Sequence, residues 1–216
     1  PDTLAESLGA PWEAVDPGIV LKRYPSCGAT HCALDALLAL RARHGFGHEA
    51  IAEIVCGAER LATRVLQFPR PGTGLEGKFS MHFCLAVAAV DGPPGLRHFT
   101  PAWISDARVR ALLPSITLSD REDRGGGATA AVPAGAEVVL RAGTRLSGTV
   151  TVPAGDPRKP MSDDDRRGKF LECAAAALDP AAAEAAWEAM AAATPRTPAR
   201  ALAAAMSPAA AAVPAQ

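Results

Sequence analysis

The spacing of apolar residues predicts a series of helices in the first half of the chain. In residues 30–44 the leucines fall on one face of a helix, and the glycines that follow would end it. Residues 79–90 are apolar almost all round, so the helix predicted there should be buried. Shorter helical patterns cover residues 3–9 and residues 106–113.

Alternating apolar and polar positions predict the strands. Residues 18–24 are predicted to be a strand that enters a turn, and residues 49–57 alternate well enough for a half-buried strand. A further strand is predicted over residues 115–119, and a hairpin over residues 137–141 and 144–152 with its turn at an Ala-Gly pair. Two stretches rich in glycine are predicted to be loops: residues 69–77 and residues 121–129.

The last quarter of the chain changes to helices only. Ser162, followed by three aspartates, is typical of a helix N-cap with an acidic first turn, and it predicts a helix as far as Ala177. Further helices are predicted over residues 180–193 and 198–206, before a flexible tail over residues 207–216. Strands mixed with helices, and then helices alone, predict an α+β fold.

Composition excludes several classes of protein. With 22 basic and 23 acidic residues in a chain of 216, the net charge of −1 gives no field that would attract nucleic acid or an anionic membrane. Five cysteines at irregular spacing do not form a disulfide framework, which favours a reducing cytoplasm. No uninterrupted apolar run is long enough to span a bilayer. We therefore expect a cytoplasmic protein without nucleic-acid or membrane partners.

The densest chemistry lies in residues 22–31, KRYPSCGATH, which we call the 22–31 turn. Its proline and glycine require a turn between the predicted strand and helix. Ser26 or Thr30 is expected to cap the helix, and the free N–H groups of the helix would then face the same space as Lys22. A helix N-terminus beside a lysine suits a carboxylate.

Three residues of this turn are the candidate catalytic groups. Lys22 could neutralise a carboxylate, and His31 titrates near neutrality and could move a proton. Cys27 is either a thiol with a lowered pKa at the helix N-terminus or a small buried hydrophobe. Asp35 lies four residues after His31 on one helix face, where an ion pair or hydrogen bond could form. Substrate binding is assigned to the other polar residues of the turn: Arg23, Ser26 and Thr30.

Two other motifs are weaker. Residues 72–78 match phosphate-loop spacings, but prolines interrupt the approach and Phe79 stands where serine or threonine is needed. Cys27, His31 and Cys32 lack the paired spacing and the second ligand pair of a zinc site. We therefore expect neither a metal nor another cofactor.

The 22–31 turn also resembles the signature of the MmgE/PrpD family, which includes 2-methylcitrate dehydratases and cis-aconitate decarboxylases. Two later stretches agree with the family in order and spacing. Residues 78–84, KFSMHFC, resemble its K-F-S-M-Q-Y helix, and residues 155–162, GDPRKPMS, with the Lys-Phe pair at 169–170, resemble its G-x-P-x-x-P-L-S…K-F segment. We call these the 78–84 segment and the 155–162 segment.

The resemblance implies the C-terminal part of a longer enzyme. Residues 1–16 would be the end of a preceding helical domain or a linker, and residues 17–157 a small mixed α/β lid domain. Residues 158–206 would be helices that belong to the all-helical domain, before the tail at 207–216. The implied activity is dehydration, isomerisation or decarboxylation of a small tri- or dicarboxylic acid without a cofactor, in a homodimer.

The resemblance adds Lys78 and His82 to the substrate-binding candidates. His82 and Phe83 stand where the family commonly has Gln and Tyr, and Cys27 stands where the decarboxylase branch has a histidine. Either His82 supplies the lost donor, or the substrate differs, or the site has decayed, or His82 is a satisfied core histidine. The alternative function is a non-catalytic remnant or interaction module that retains the lid fold.

Overall fold

A four-stranded mixed sheet organises the first part of the chain in the computed structural model, which describes residue 12 and residues 14–120 and 134–207. The strand order is β2-β1-β3-β4; β1 and β2 are parallel, and β1–β3 and β3–β4 are antiparallel. The strands are β1 (Ile51–Ala58), β2 (Ile116–Asp120), β3 (Ala134–Leu140) and β4 (Arg145–Val150). With the helices described next, this sheet makes the fold α+β, as predicted.

Nine α-helices are assigned within the described residues: α1 (His31–His44), α2 (Arg60–Val65), α3 (Gly74–Lys78), α4 (Met81–Val90), α5 (Pro101–Ile104), α6 (Ala107–Leu112), α7 (Asp163–Ala174), α8 (Pro180–Ala191) and α9 (Ala199–Ala205). Side chains cap five of them, α3, α4, α6, α7 and α8, as the sequence favours. Ser80 Oγ accepts from Phe83 N–H at the start of α4, Asp106 accepts two N–H groups at α6, and Ser162 accepts from Asp165 N–H at α7.

The core lies between one face of the sheet and the helices α1 and α4. In β1, Ile54, Cys56 and Ala58 are buried, and the side chains between them are only half-buried, as a strand with one covered face requires. Helix α1 packs against β3, β4 and α4, and helix α4 is buried along nearly its whole length. This arrangement places the first turn of α1, and therefore His31, against the core.

The chain divides into two compact units, one that ends at Met161 and one that begins at Ser162. In the second unit, α7 and α9 both pack against α8. The ring centroids of Phe170 and Trp187 lie 5.6 Å apart, and Arg167 and Glu184 form an ion pair of 2.6 Å. Only two residues of these three helices are buried, Ala183 and Ala186, so little apolar surface is covered here.

Periodicity predicted most of these elements to within a few residues. It correctly gave α1, α4, α6, β1, β2, the β3–β4 hairpin and the three helices after Ser162. The predicted elements at residues 3–9 and 121–129, and the tail from residue 208, lie outside the described residues. In the described part of the chain, no helix combines the length and apolar character that a membrane crossing needs.

The strand predicted over residues 18–24 is wrong. Residues 14–18 form a π-helical turn, residues 19–22 have no regular structure, and residues 23–26 bend. Ile19 is 72% exposed, and Leu21 N–H makes a single loop hydrogen bond to the Gly155 carbonyl at 2.8 Å. An apolar run without a neighbouring strand to pair with does not become a strand.

The prediction of a loop over residues 69–77 is wrong in part, because the last residues of this stretch belong to α3. Thr73 caps this helix by accepting from Glu76 N–H at 3.2 Å. A Cβ atom at Gly74 would lie 2.0 Å from the Phe99 carbonyl oxygen, so close packing explains this glycine without a phosphate ligand. Helix α4 begins at Met81 rather than at residue 79, and Phe79 lies between α3 and α4 with 40% of its surface exposed.

Candidate functional site

The hydroxyl groups of the 22–31 turn hold the turn itself. Thr30 Oγ1 donates to the Cys27 carbonyl at 2.8 Å, and Ser26 Oγ lies 2.8 Å from Thr30 Oγ1. Because Thr30 has only one hydroxyl hydrogen, Ser26 is the donor in their mutual bond. Neither hydroxyl caps α1, so the predicted cap is wrong, and a short 3₁₀ turn, Gly28–Thr30, leads into the helix instead.

The 78–84 segment packs directly on this turn. Cys27 N–H donates to the Lys78 carbonyl at 2.9 Å, which fixes the thiol-bearing residue against the end of α3. On α4, the Cys84 thiol lies within hydrogen-bonding reach of the Ser26 and Thr30 side chains, and burial raises its pKa to about 12. Cys84 is therefore a neutral thiol at physiological pH, and it packs beneath the turn.

The 155–162 segment contacts Leu21, the residue directly before the turn. The Gly155 carbonyl accepts from Leu21 N–H at 2.8 Å, and Gly155 N–H donates to the Lys159 carbonyl at 2.9 Å. Gly155 has φ +93°, and a Cβ atom there would lie 1.9 Å from the Leu21 carbonyl oxygen, so only glycine fits. Both later stretches that the sequence singled out thus contact the 22–31 turn or the residue directly before it.

His31 is the last residue of the turn. Its side chain is 2% exposed, its ring meets the Tyr24 ring edge to face at a centroid distance of 5.2 Å, and its Nε2 atom is buried without a hydrogen-bond partner. Burial, and then the positive charge of Lys22, lower the pKa of His31 from 6.5 to about 4; hydrogen bonds to the backbone of Ser26 and Tyr24 and the charge of Asp35 offset part of that fall. The expectation that His31 titrates near neutrality is therefore wrong.

Asp35 does not form the ion pair or hydrogen bond with His31 that the sequence allowed. Its carboxylate accepts from the Tyr24 hydroxyl at 2.7 Å and from Ala154 N–H at 2.8 Å, and it lies 3.7 Å from the Lys159 ammonium. Neither Lys159 nor Tyr24 was predicted from the sequence to contribute to the site. The available signal was Asp35 itself, an acidic residue among the buried apolar positions of α1, which needs partners when it is buried.

The two cations of the turn lie nearer the surface. Lys22 is exposed, and its charge is close enough to act on His31. Arg23 is half-buried, with its guanidinium 5.7 Å from the centroid of the Tyr24 ring, and Cys27 is a half-buried free thiol. The turn therefore presents cations and a thiol outward and keeps the imidazole inside.

Lys78 and His82 occupy different surroundings. Lys78 ends α3, with its ammonium 5.9 Å from the centroid of the Phe99 ring. The helix dipole therefore favours the Lys78 cation, which lies at the C-terminus of α3. The Nδ1 atom of His82 is buried without a partner, and burial lowers the pKa of this histidine. In the described part of the chain, no hydrogen bond, ion pair or ring contact joins His82 to the 22–31 turn.

No three His, Cys, Asp or Glu side chains are placed to hold a metal ion within residues 14–120 and 134–207.

Comparison with known proteins agrees with this geometry. A family model described as the MmgE/PrpD C-terminal domain matches residues 24–194 and so takes in most of the 22–31 turn and both later segments. A comparison with curated proteins finds no match.

Proposed function

Because the chain belongs to the MmgE/PrpD family, we propose that it is the C-terminal part of a lyase that acts on small tri- or dicarboxylic acids. Proteins of this family are dehydratase- or lyase-like. The observation that carries the proposal is the contact of two later segments with one turn and the residue before it, a turn that bears two cations, a thiol and an imidazole whose Nε2 atom has no hydrogen-bond partner. The reaction is dehydration, isomerisation or decarboxylation of a substrate such as 2-methylcitrate or cis-aconitate.

Lys22 is the proposed anchor for a substrate carboxylate. Its ammonium is exposed and adjoins the start of α1, where backbone N–H groups also favour an anion. Arg23 and Lys78 are proposed to bind the other carboxylates, and His82 a further polar group. Since Ser26 and Thr30 are bonded to each other, their proposed contribution to substrate binding is to hold the shape of the turn.

His31 is the proposed base. With a pKa of about 4 its ring is neutral at physiological pH, so one ring nitrogen keeps its proton and Nε2 is the nitrogen proposed to accept another. In this chain Nε2 is covered, so transfer requires that the turn move when substrate binds. Cys27, a half-buried thiol four residues before it in the same turn, is the proposed second proton-transfer group.

A helical domain that precedes this region is the proposed partner, together with a second copy of the enzyme in a homodimer. The matched family model describes a C-terminal domain, which supports a partner on the N-terminal side. Helices α7, α8 and α9 bury only two alanines, and short helices gain most of their stability from packing on something else.

The test compares this chain with a longer protein in which the helical domain precedes it. Each is purified, shown to be folded by circular dichroism, and assayed with 2-methylcitrate and with cis-aconitate. We expect turnover by the longer protein and none by the chain alone. Turnover by the chain alone would contradict the proposed half-site, and a folded longer protein without turnover would favour the interaction module.

A further inference from the structure

Asp35 connects segments that are far apart along the chain. It lies in the second turn of α1, and its side chain is only 6% exposed. Its two oxygens take different donors: Oδ1 accepts from the Tyr24 hydroxyl at 2.7 Å, and Oδ2 accepts from Ala154 N–H at 2.8 Å and lies 3.7 Å from Lys159 Nζ. One carboxylate therefore fixes the 22–31 turn, α1 and the chain around residues 154–159.

Tyr24 carries this restraint to His31. The Tyr24 side chain is 1% exposed, and its ring packs edge to face on the His31 ring. A hydroxyl held at 2.7 Å by a buried carboxylate fixes where the far end of the tyrosine ring lies, and the buried ring in turn limits how the imidazole can rotate. His31 has no partner of its own at Nε2 that would set its orientation there.

We propose that Asp35 is the positioning residue of the site. It acts on His31 through Tyr24, and it holds the chain at Ala154 and Lys159 against α1. This inference rests on the proposed function of the 22–31 turn. Asp35 itself touches no substrate. Catalytic groups must be held close to the reactive geometry, and a displacement of about 1 Å can cost about 10²-fold in rate.

The first experiment uses the full chain with ¹⁵N-labelled histidine and records the ring nitrogens by long-range ¹H–¹⁵N NMR. The variants are Asp35→Asn, which removes the charge, and Tyr24→Phe, which removes only the hydroxyl. Asp106→Asn is the control, because Asp106 caps α6 and belongs to another cluster. We expect both site variants to shift the His31 ring signals, and the control to leave them in place.

The second experiment measures the longer enzyme. Asp35→Asn and Tyr24→Phe should lower kcat by up to about 10²-fold with little change in KM, because the substrate anchor Lys22 is untouched. A loss that merely follows the unfolded fraction in urea would mean that Asp35 is structural only. If Asp35→Asn and Tyr24→Phe are both folded and neither shifts the His31 ring signals, the inference is wrong. The ring spectra need no substrate, so they decide it even if the proposed lyase activity is absent.

Discussion

Two buried histidines, His31 in the 22–31 turn and His98 in the loop after α4, are held in opposite ways. His98 accepts from Gly95 N–H at Nδ1 (2.8 Å), so its Nε2–H donates to the Asp91 carboxylate (2.9 Å). Its ring also meets Trp103 edge to face at 4.4 Å. His31 is buried almost as completely, yet its Nε2 has no partner.

This difference suggests different roles for the two histidines. A buried polar atom without a partner costs about 1–3 kcal/mol, so folded proteins pair nearly all of them and an exception needs an explanation. His98 is fully paired, and it ties the loop after α4 to Asp91. The Nε2 atom of His31 stands unpaired within the 22–31 turn, near enough to the exposed Lys22 for that charge to lower the pKa of the ring. We interpret His98 as a structural histidine and His31 as one kept for chemistry.

Turnover should show the largest contrast between the two histidines. In the longer enzyme, His31→Ala is expected to lower kcat/KM by about 10²–10⁴-fold, the usual loss for a positioned proton-transfer group. Lys22→Ala, which removes the proposed carboxylate anchor, is also expected to lower kcat/KM. His98→Asn should retain near-wild-type turnover at a temperature where circular dichroism shows it folded. Near-wild-type rates for both site variants, with unchanged thermal unfolding, would remove the functional interpretation of the turn.

The pH dependence of stability should be the next largest effect. The pKa of His31 is about 4 in the folded chain and 6.5 ordinarily, so between these values the unfolded chain binds more protons. The free energy of unfolding should therefore fall as pH is lowered from about 6.5 to about 4, by on the order of 3 kcal/mol from His31. His82, whose pKa burial also lowers, acts in the same direction.

Urea unfolding across that range measures this fall, with His31→Leu as the variant that should remove most of it. Asp106→Asn is the matched control, because the pKa of Asp106 is about 2 and its titration lies below the range. If His31→Leu and the control show the same slope as the wild-type chain, His31 is not the buried neutral base described above.

Near neutral pH, replacing His98 should lower the free energy of unfolding more than replacing His31 does, which is the reverse of their expected order in turnover. His98→Ala leaves Gly95 N–H and part of the Asp91 carboxylate without a partner, and it should lower the free energy of unfolding by about 2–3 kcal/mol. His31→Leu removes an unpaired buried nitrogen and should stay within about 1 kcal/mol of the wild-type chain. Urea denaturation of both variants measures these changes. Equal losses in the free energy of unfolding would contradict the distinction between the two histidines.

Thr30→Val tests the hydroxyl bonds of the turn rather than the histidines themselves. It keeps the shape of a fully buried side chain but removes the bonds to Ser26 and to the Cys27 carbonyl, at a cost of about 1–3 kcal/mol. Because these bonds shape the turn, the His31 ring signals should also shift in NMR spectra, whereas those of His98 should not. An unchanged His31 signal would show that the hydroxyls do not hold the turn.

Local sequence patterns predicted the elements of the fold but not the contacts of the site. The leucine spacing of α1 and the alternation in β1 require only neighbouring residues, and both predictions were correct. The strand predicted over residues 18–24 failed because a strand also needs a partner, and Leu21 finds only the Gly155 carbonyl.

The state of His31 depends on tertiary packing and could not be predicted from the sequence. Near-neutral titration is the ordinary behaviour of an exposed imidazole, and burial moved the pKa to about 4. Likewise, the four-residue spacing placed Asp35 on the same face as His31. Its real partners, Tyr24, Ala154 and Lys159, come from 11 residues before it and more than a hundred after it.

The most direct test of the difference between the two histidines is a titration of the ¹⁵N-histidine-labelled chain with cis-aconitate, followed at the ring nitrogens. We predict saturable shifts of the His31 signals, no shift for His98, and loss of the His31 response in Lys22→Ala. A titration that leaves His31 unmoved, or that moves His98 equally, would contradict the claim that the 22–31 turn is a carboxylate site.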